Sequence, residues 1–324
     1  MSYAQGQNIA AADYNGFAGG VAITSAFASS AAATQKVAAL LGVGYGDRGY
    51  GQSTPSLPVR VSGDAIAASD WANLRTAIAT LASHQGTAVT QLPPSGDFVA
   101  GANVKAETTA ATTTYDFATM IANVDSNRFN TNSGASMTLT ANALTISRAS
   151  TWGAGSAGIT CTANATFASE DAARYFFNSG GEIRFALSHP TGSTQDNNWN
   201  AALAAVGTVA FKAHSTTRSG TAGTPAAVGY YELTTSAQTI LSGAIGSGAY
   251  STNSITVTAA ATSITGANGA KGFQIQFVIT LSDSHTNAWT DTCAAGTAAV
   301  FSHLKATAVL SGIASPTISQ VVGF

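Results

Sequence analysis

The stretch GFQIQFVITL, residues 272–281, alternates apolar and polar side chains except at Val278. Apolar side chains occupy every second position from 273 to 281, and Gln274, Gln276 and Thr280 stand between them. Successive side chains of a β-strand point to opposite faces of a sheet, so this pattern predicts a strand with one buried face. A sheet made of such strands needs a second layer to cover its apolar face.

Segments with similar strand character follow one another from about Asn130 to the C-terminus. Turn-forming glycine, asparagine, serine and aspartate separate them at spacings typical of an antiparallel sandwich. These further predicted strands are GITCTANATF (158–167), GEIRFALS (181–188), GTVAFKAHSTT (207–217), VGYYELT (228–234), NSITVTAAATSIT (253–265), AAVFSHLKATAVL (298–310) and PTISQVV (316–322).

A predicted hairpin begins this series, and one predicted helix interrupts it. The stretch ASMTLTANALTISRAS, residues 135–150, alternates on both sides of a central TAN, which predicts a β-hairpin with its turn at TAN. The stretch DNNWNAALAAVG, residues 196–207, predicts a short helix that buries Trp199 and Leu203.

Helical periodicity is clearest in the first third of the chain, after Ser69 and Asp70, either of which can cap a helix N-terminus. Apolar residues then recur at the spacing of one helical face. These residues are Trp71, Leu74, Ile78 and Leu81.

An internal sequence repeat extends the helix prediction to the N-terminus. The stretch IAAADYNGF (9–17) matches IAASDWANL (66–74) at an offset of 57 residues, through common ancestry or through chance among alanine-rich sequences. By the same logic a helix is expected to begin near Ala11. Its predicted buried residues are Tyr14, Phe17, Val21 and Ile23. A further helix, TQKVAALLG (34–42), is expected to end at Gly42.

The predicted fold class is therefore α+β, with a small helical N-terminal module followed by an all-β antiparallel sandwich domain. Residues 1–90 form the helical module. Residues 91–129 are predicted to be a linker or arm, rich in proline and small polar residues, with a short helix in TYDFATMIANVDSNRF (114–129). Residues 130–324 form the sandwich.

Charge limits the range of partners. Only 9% of the 324 residues are charged, the net charge is −2, and 45% of the residues are hydrophobic. This composition predicts a folded chain without the field needed to bind nucleic acid. No apolar run is long enough to span a membrane, so no membrane insertion is expected. A weakly charged surface of small residues favours assembly with other copies of the chain.

Glycines in GVGYGDRGYGQS, residues 42–53, match the spacing of a dinucleotide-binding loop. Such a loop follows a strand and opens a helix, whereas a helical segment precedes this one and Pro55 and Pro58 follow it. The glycines therefore predict a tight turn between helical units, in which Tyr45 and Tyr50 pack. The turn-tip charges Asp47 and Arg48 are expected to contact a partner.

Catalytic or metal-binding signals are sparse. Asp283, His285 and Asp291 are the acids and histidine that lie close in sequence, in a segment that is either a metal or acid–base site or a polar loop. Glu182 and Arg184 are expected to share a face of one strand and to pair. No cofactor, metal ion or enzymatic activity is predicted, and Cys161 and Cys293 are read as small buried apolar residues.

Three N-terminal stretches resemble the opening of virion structural proteins of tailed bacteriophages, especially the contractile-tailed phages of cyanobacteria. They are YAQGQNIAAADYNGF (3–17), GVGYGDRGYGQS (42–53) and VSGDAIAASDWANLRTAIATLASHQGT (61–87). The likeness covers roughly residues 3–87. The elements that carry it are Tyr3, Gln7, Ile9, DYN at 13–15, GYGQ at 49–52, Ile66, DW at 70–71, Leu74 and HQG at 84–86. Stretches such as ARYFFNSGGEIRFALS (173–188) resemble the β-rich remainder of these proteins more loosely.

This resemblance implies a structural role in a tail, neck or fibre and offers no active site to transfer. The chain is then expected to be made in a host cytoplasm, without a signal peptide, and to reside in the virion. Its partners are other copies of itself and other virion proteins, docked through the N-terminal module. The expected interface residues are Tyr14, Phe17, Tyr45, Tyr50, Gln52, Trp71, Leu74 and Phe324.

Two further expectations concern the sandwich. The alternative function is recognition of a host-surface glycan, through aromatic residues that stack on sugar rings. The candidate aromatics are Phe176, Phe177, Tyr230, Tyr231 and Trp289. Adjacent aromatics on a strand face opposite sides, so one residue of the pair at 176–177 and one of the pair at 230–231 are expected to be exposed or interfacial. The apolar C-terminus, SQVVGF (319–324), is expected to be buried against a neighbouring subunit.

Overall fold

The computed structural model describes residues 11–18, 37–98, 107–109, 114–132, 136–153, 158–284 and 291–324. The chain divides into two compact units. The helical unit comprises Met1–Met137, Asn178–Gly180 and Ala306–Ile313, and the sandwich unit comprises Thr138–Phe177, Gly181–Lys305 and Ala314–Phe324. In the part of the chain that is described, no helix has the length and apolar character needed to cross a membrane.

The helical unit contains short and long helices and one small ladder of two antiparallel strands. The helices are α1 (Ala11–Ala18), α2 (Val37–Leu41), α3 (Ala68–Gln85) and α4 (Phe117–Ser126), and the strands are β1 (Glu107–Thr109) and β2 (Thr114–Asp116).

Helix α3 confirms the strongest helical prediction. It begins one residue before Ser69, and the Asp70 carboxylate accepts a hydrogen bond of 2.9 Å from the backbone N–H of Ala67 at the N-cap. Arg60 forms an ion pair with the same carboxylate, with Nη2 2.7 Å from Asp70 Oδ2. Gly86 ends the helix in the left-handed region, with φ of 72°. The four residues predicted for its buried face are fully buried.

Aromatic rings from three helices build the core of the helical unit. Trp71 of α3 lies 5.5 Å from Tyr14 and 6.2 Å from Phe17 of α1, measured between ring centroids, and 5.7 Å from Phe117 of α4. The two copies of the internal sequence repeat therefore pack against each other. Val21 and Ile23, also predicted for this core, lie outside the described residues.

Helix α4 changes the predicted domain layout. It was expected inside a linker or arm at residues 91–129, yet Phe117, Met120 and Ile121 are fully buried in the helical unit. Asp116 caps this helix by accepting a hydrogen bond from Thr119 N. The unit therefore continues to Met137, and two later segments of the chain complete it.

Among the described residues, the sandwich unit holds two sheets and two helices, α5 (Glu170–Asn178) and α6 (Thr194–Val206). Its strands are β3 (Met137–Ser147), β4 (Ile159–Thr166), β5 (Glu182–Ser188), β6 (Thr208–Phe211), β7 (Thr216–Arg218), β8 (Thr224–Pro225), β9 (Gln238–Ala244), β10 (Ser254–Thr262), β11 (Gln274–Ser282), β12 (Ala298–Ala306) and β13 (Thr317–Val322). The five-stranded sheet has the order β3-β12-β5-β6-β7, and the six-stranded sheet has the order β13-β4-β11-β10-β9-β8.

Strand β11 is the stretch that predicted this architecture, and it lies inside the six-stranded sheet between β4 and β10. Ile275, Phe277, Ile279 and Leu281 are buried as predicted, whereas Phe273 lies just before the strand and is half-buried. Phe277 reaches the five-stranded sheet. The Phe277 ring centroid lies 6.4 Å from Phe185 of β5, 5.3 Å from Phe211 of β6 and 6.3 Å from Phe301 of β12. The two sheets thus pack face to face, which confirms the sandwich.

Three strand predictions are corrected. Residues 137–147 form one continuous strand instead of a hairpin. Within TAN, where the turn was expected, only Asn142 adopts a left-handed conformation, with φ of 53°. The segment 207–217 is split into β6 and β7. The Tyr230–Glu232 segment is a turn of 3-10 helix, whose Tyr230 ring stacks on Phe177 at 4.7 Å.

The glycine-rich segment 42–53 forms a tight turn after a helix, as predicted. Helix α2 ends at Gly42, whose N–H bonds to the Ala38 carbonyl oxygen. Left-handed φ values then recur at Gly44, Gly49 and Gly51. A side chain at Gly44 or Gly49 would overlap a backbone carbonyl of the same turn, so these positions exclude other residues by sterics as well as by φ.

Candidate functional site

A cavity of about 470 Å³ opens at the N-terminus of α6 in the sandwich unit. This volume lies within the range of small-molecule sites. The polar residues that line the cavity are Ser193, Thr194, Gln195, Tyr250, Asp291 and Thr292.

A capping box fixes the first turn of α6 beside this cavity. Ser193 Oγ accepts a hydrogen bond of 3.1 Å from Asp196 N, and Asp196 Oδ2 accepts one of 2.8 Å from Ser193 N. The backbone N–H groups of Thr194 and Gln195 follow in the first turn, where no intrahelical acceptor exists. The positive end of the helix dipole therefore faces the cavity.

A chain of buried hydrogen bonds connects the first turn of α6 to Trp152. Trp152 Nε1 donates to Thr297 Oγ1 at 2.9 Å, Thr297 lies 2.8 Å from His189 Nδ1, and His189 Nε2 lies 2.8 Å from Asp196 Oδ1. The indole can only donate, so the hydroxyl proton of Thr297 is available for Nδ1. A hydrogen on His189 Nε2 is then donated to Asp196, so both ring nitrogens have a partner.

The carboxylate of Asp196 is fully engaged. Burial raises its pKa, but hydrogen bonds from Ala294 N, His189 and Ser193 outweigh burial and hold the pKa at about 2. Each carboxylate oxygen already accepts two hydrogen bonds. Asp196 is therefore an anion whose charge fixes local structure.

His189, Asp196 and Cys293 bring their ligating atoms within 4.8 Å of one another, all buried. The donor chemistry does not favour a metal ion. The Asp196 oxygens are occupied, and burial raises the pKa of Cys293, with Asp283 adding to the effect, so the thiol stays protonated. These residues are best explained as a structural hydrogen-bonding cluster.

Two of the three residues singled out as a metal or acid–base candidate lie next to the cavity. Asp291 lines it and accepts a hydrogen bond of 2.8 Å from the Tyr250 hydroxyl. Burial and this carboxylate raise the pKa of Tyr250 to about 12, so the phenol stays protonated. Asp283 accepts a hydrogen bond from Gln195 Nε2. His285 and Trp289 lie outside the described residues.

A second, shallower cavity of about 340 Å³ lies on the five-stranded sheet. Glu182 pairs there with Arg184 at 2.6 Å, which confirms the predicted pair, and with Lys212 at 3.2 Å. Arg218 lies alongside, bonded to the carbonyl oxygen of Gly223. One carboxylate therefore faces three cationic side chains, and the lining of this cavity has a net positive charge.

The side chains predicted for docking are mostly core residues. Five of the eight are buried in the helical unit itself, so they are not available to a partner and this part of the prediction needs correction. These five are Tyr14, Phe17, Tyr50, Trp71 and Leu74. Tyr45, Gln52 and Phe324 keep partial exposure.

Contacts inside the helical unit occupy the polar residues of the glycine-rich turn. Gln52 exchanges hydrogen bonds of 2.9 Å with the backbone of Ser311. Arg48 lies 3.1 Å from Asp125, and Asp47 lies 3.0 Å from Arg128. The turn-tip charges thus bond to α4 and the residues that follow it, where a contact with a partner was expected.

The aromatic pairs proposed to stack on sugars are also mostly internal. Phe176 and Phe177 lie on helix α5, where both rings are buried, and Tyr230 is fully buried as well. The expectation that one member of each pair faces outward assumed that both pairs lie on strands, where neighbouring side chains point to opposite faces. Tyr231 alone of these four is partly exposed, and its ring stacks on His214 at 5.0 Å.

A buried histidine in the helical unit makes stability depend on pH. His84 is fully buried, lies 5.3 Å from the Tyr50 ring and donates from Nε2 to the Ser179 carbonyl at 3.1 Å. Burial lowers its pKa from 6.5 to about 4. The folded state keeps the neutral form, so its contribution to stability is complete above pH 6.5 and is lost as the pH falls towards 4.

We therefore expect this histidine to remove about 3 kcal/mol from the free energy of unfolding between pH 7 and pH 4. Urea unfolding at both pH values measures the loss. His84→Gln retains an N–H donor for Ser179 without the titration, so the variant should lose about 3 kcal/mol less than the natural protein. Equal losses in the two proteins would contradict the assignment.

Comparison of the chain with protein-family models, with curated proteins and with solved structures finds no match.

Proposed function

We propose that this chain is a structural subunit of a tailed-bacteriophage virion, associated with the tail, neck or fibre. It acts by self-assembly and by docking to other virion proteins through its helical unit. The resemblance of residues 3–87 to such proteins motivates the proposal, and the edges of the sandwich support it most directly. No catalytic step is assigned to the chain.

The observation that most supports this proposal is that two strands at the edges of the sheets contain no charged residue. β3 borders the five-stranded sheet and β13 borders the six-stranded sheet, and neither contains a charged residue. Leu139 on β3 and Val321 on β13 are each 50% exposed. Natural proteins protect such edges with charges, proline or bulges because an open edge pairs with another chain. β13 has one such feature, a register shift against β4 between Gln320 and Val322. We infer that another copy of this chain covers the edge formed by β3.

The helical unit offers a different exposed surface for docking. Residues 51–60 form an extended segment without helix or strand, and Val59 and Val61 at its end are more than half exposed. Val43, beside the glycine-rich turn, is also half exposed. These valines replace the buried aromatic residues as the side chains through which the helical unit is proposed to contact other virion proteins.

Leu139→Lys is expected to weaken self-association at least tenfold, because lysine on an edge strand places a hydrated charge where a neighbouring strand would pair. Sedimentation velocity over a range of concentrations measures the effect. Thr160→Lys is the matched control, since Thr160 is exposed on β4, whose two edges are already paired with β11 and β13. A natural protein that stays monomeric at every concentration would refute edge pairing.

A second candidate function is recognition of a host-surface glycan by the sandwich unit. The observation that favours it is the cavity at the start of α6, which is lined by hydroxyl, amide and phenol groups. This candidate is compatible with a virion role, since a fibre subunit can carry both properties. Binding of the purified chain to host polysaccharide tests it, and absence of binding leaves only the assembly role.

A further inference from the structure

The shallow cavity on the outer face of the five-stranded sheet forms around a small side chain. Glu182 and Arg184 occupy partly exposed positions of β5 that alternate with buried ones, so both side chains face outward. Ala210 of β6 is the cross-strand neighbour of Arg184 on one side and of Thr217 of β7 on the other. Its methyl group is shorter than the side chains around it, which leaves the depression of about 340 Å³ above it.

Glu182 positions two cationic groups at this cavity. Its carboxylate accepts a hydrogen bond of 2.6 Å from Arg184 Nε, and its second oxygen lies 3.2 Å from Lys212 Nζ. Within the described part of the chain, the two terminal nitrogens of Arg184 have no bonding partner. The side chains of Arg184 and Lys212 are 29% and 40% exposed, so a molecule in the cavity can reach both.

The charge of the lining favours an anion. Glu182 is the only acid among the lining residues, against Arg184, Lys212 and Arg218. Two nitrogens of Arg218 already donate to backbone carbonyl oxygens, so this residue mainly adds positive charge. The terminal nitrogens of a guanidinium match the paired oxygens of a carboxylate or of a sulfate ester. Arg184 and Lys212 are therefore the groups that an anionic ligand would contact.

Hydroxyl groups complete the polar lining. Thr208, Thr217 and Ser219 line the cavity beside the cations. Ser219 Oγ accepts a hydrogen bond of 2.9 Å from Thr208 N, and no described residue accepts its hydroxyl proton. An inorganic anion only accepts hydrogen bonds, whereas a sugar ring with an acidic substituent both donates and accepts, as these hydroxyl groups do. The cavity volume also lies within the range of small-molecule sites.

We propose that this cavity binds an acidic saccharide unit, whose carboxylate or sulfate group accepts hydrogen bonds from Arg184 and Lys212. The ring hydroxyls bond to the three hydroxyl side chains beside them. The chemistry that the two acidic groups share is an oxyanion attached to a sugar ring. The inference rests on the second candidate function, glycan recognition, and gives it a ligand class and a site apart from the α6 cavity. It is independent of pairing at the β3 edge.

The test titrates the full chain at neutral pH by isothermal calorimetry. The acidic sugars are galacturonic acid, glucuronic acid and N-acetylglucosamine 6-sulfate, and the neutral comparators are galactose, glucose and N-acetylglucosamine. At least one acidic sugar is expected to bind about tenfold or more tightly than its neutral counterpart, because its anionic group makes charge-assisted hydrogen bonds. Raising NaCl from about 0.02 M to about 0.3 M should weaken this binding, since salt screens partly exposed charges.

Arg184→Gln is expected to weaken binding of the acidic sugar about tenfold or more, because it removes the guanidinium that the anion contacts. Lys212→Gln provides a second variant at a more exposed position, in case Arg184→Gln destabilises the sheet. Lys305→Gln is the matched control. It removes the same charge from β12 of the same sheet, outside the cavity lining, and should bind as the natural protein does.

Acidic-sugar binding that both cavity variants leave unchanged would overturn the site while leaving glycan recognition intact, as would a preference for the neutral sugars. Sodium sulfate or sodium acetate bound as tightly as the acidic sugars would overturn the saccharide assignment. Tighter binding of a polyglutamate peptide would overturn it in favour of a protein partner. Failure of every acidic sugar to bind would overturn the inference, and glycan recognition fails with it only if host polysaccharide does not bind either.

Discussion

Phe277→Ala is expected to lower the free energy of unfolding of the sandwich unit by about 3–5 kcal/mol. Phe277 is fully buried, and its ring meets Phe185, Phe211 and Phe301 of the opposite sheet within 6.4 Å. Truncation removes the apolar area and these ring contacts together. It also leaves a cavity between two sheets that the strand ladders hold in place.

Urea unfolding followed by circular dichroism measures this loss, with Gln276→Ala as the control. Gln276 is the neighbouring residue on β11, but it lies on the outer face of the sheet and is partly exposed. Its replacement should cost less than about 1 kcal/mol. Similar losses for the two variants would show that Phe277 does not join the two sheets.

Gly44→Ala is expected to cost about 2–6 kcal/mol in the helical unit, as the sum of a backbone cost and a steric cost. Gly44 has φ of 60°, which costs a residue other than glycine about 1–3 kcal/mol. An alanine Cβ would also overlap the carbonyl oxygen of Arg48, so the turn must shift at a further cost of about 1–3 kcal/mol. Chemical denaturation of the full chain measures the sum.

Gly46 offers a matched control two residues away. Its φ is 57°, but a Cβ there meets no atom within 4 Å, so Gly46→Ala should show the backbone cost alone. Gly44 and Gly46 are the first two glycines of the apparent nucleotide-binding pattern. Equal effects of the two substitutions would mean that close backbone approach is not the reason for glycine at position 44.

Regular periodicity is the part of the fold that the sequence predicts well. The β11 and α3 patterns each extend over many residues, so the average burial of a face outweighs any local exception. The β3 prediction failed because Thr140, Ala141 and Asn142 are compatible both with a turn and with one left-handed residue inside a strand. Only pairing with β12, distant in sequence, decides between the two.

Helix α5 shows a different limit. The adjacent Phe176 and Phe177 suggested two faces of a strand, yet the helix buries both rings between other aromatic side chains. Phe177 packs on Tyr230 and Phe211, which are distant in sequence. A short segment of this kind takes the structure that its tertiary contacts favour, and its own sequence does not specify them.

The candidate site was predictable only in part. Asp283 and Asp291 attracted attention because they are close in sequence in a chain with few acids. Gln195 and Tyr250 gave no comparable signal, since an isolated glutamine or tyrosine is ordinary in any segment. The fold brings the start of α6 to Tyr250 and Asp291, and that encounter creates the cavity.

Docking residues present the same difficulty. The periodic spacing of the aromatic residues predicts that their side chains are buried. It does not predict whether the same unit or a partner protein covers them. Trp71 and Tyr14 are covered by their own unit. Exposed valines such as Val61, 63% exposed, have no periodic pattern and were recognisable only in the structure.

The central claim, that this chain is a subunit of a phage virion, is tested most directly by asking whether it is part of the particle. Tailed phage particles whose genome encodes the chain would be banded by density centrifugation, and the band analysed by quantitative mass spectrometry. The account predicts that the chain remains with the particles after a high-salt wash, in a fixed copy number relative to the major capsid protein. A chain found only in the soluble fraction of the lysate would contradict it.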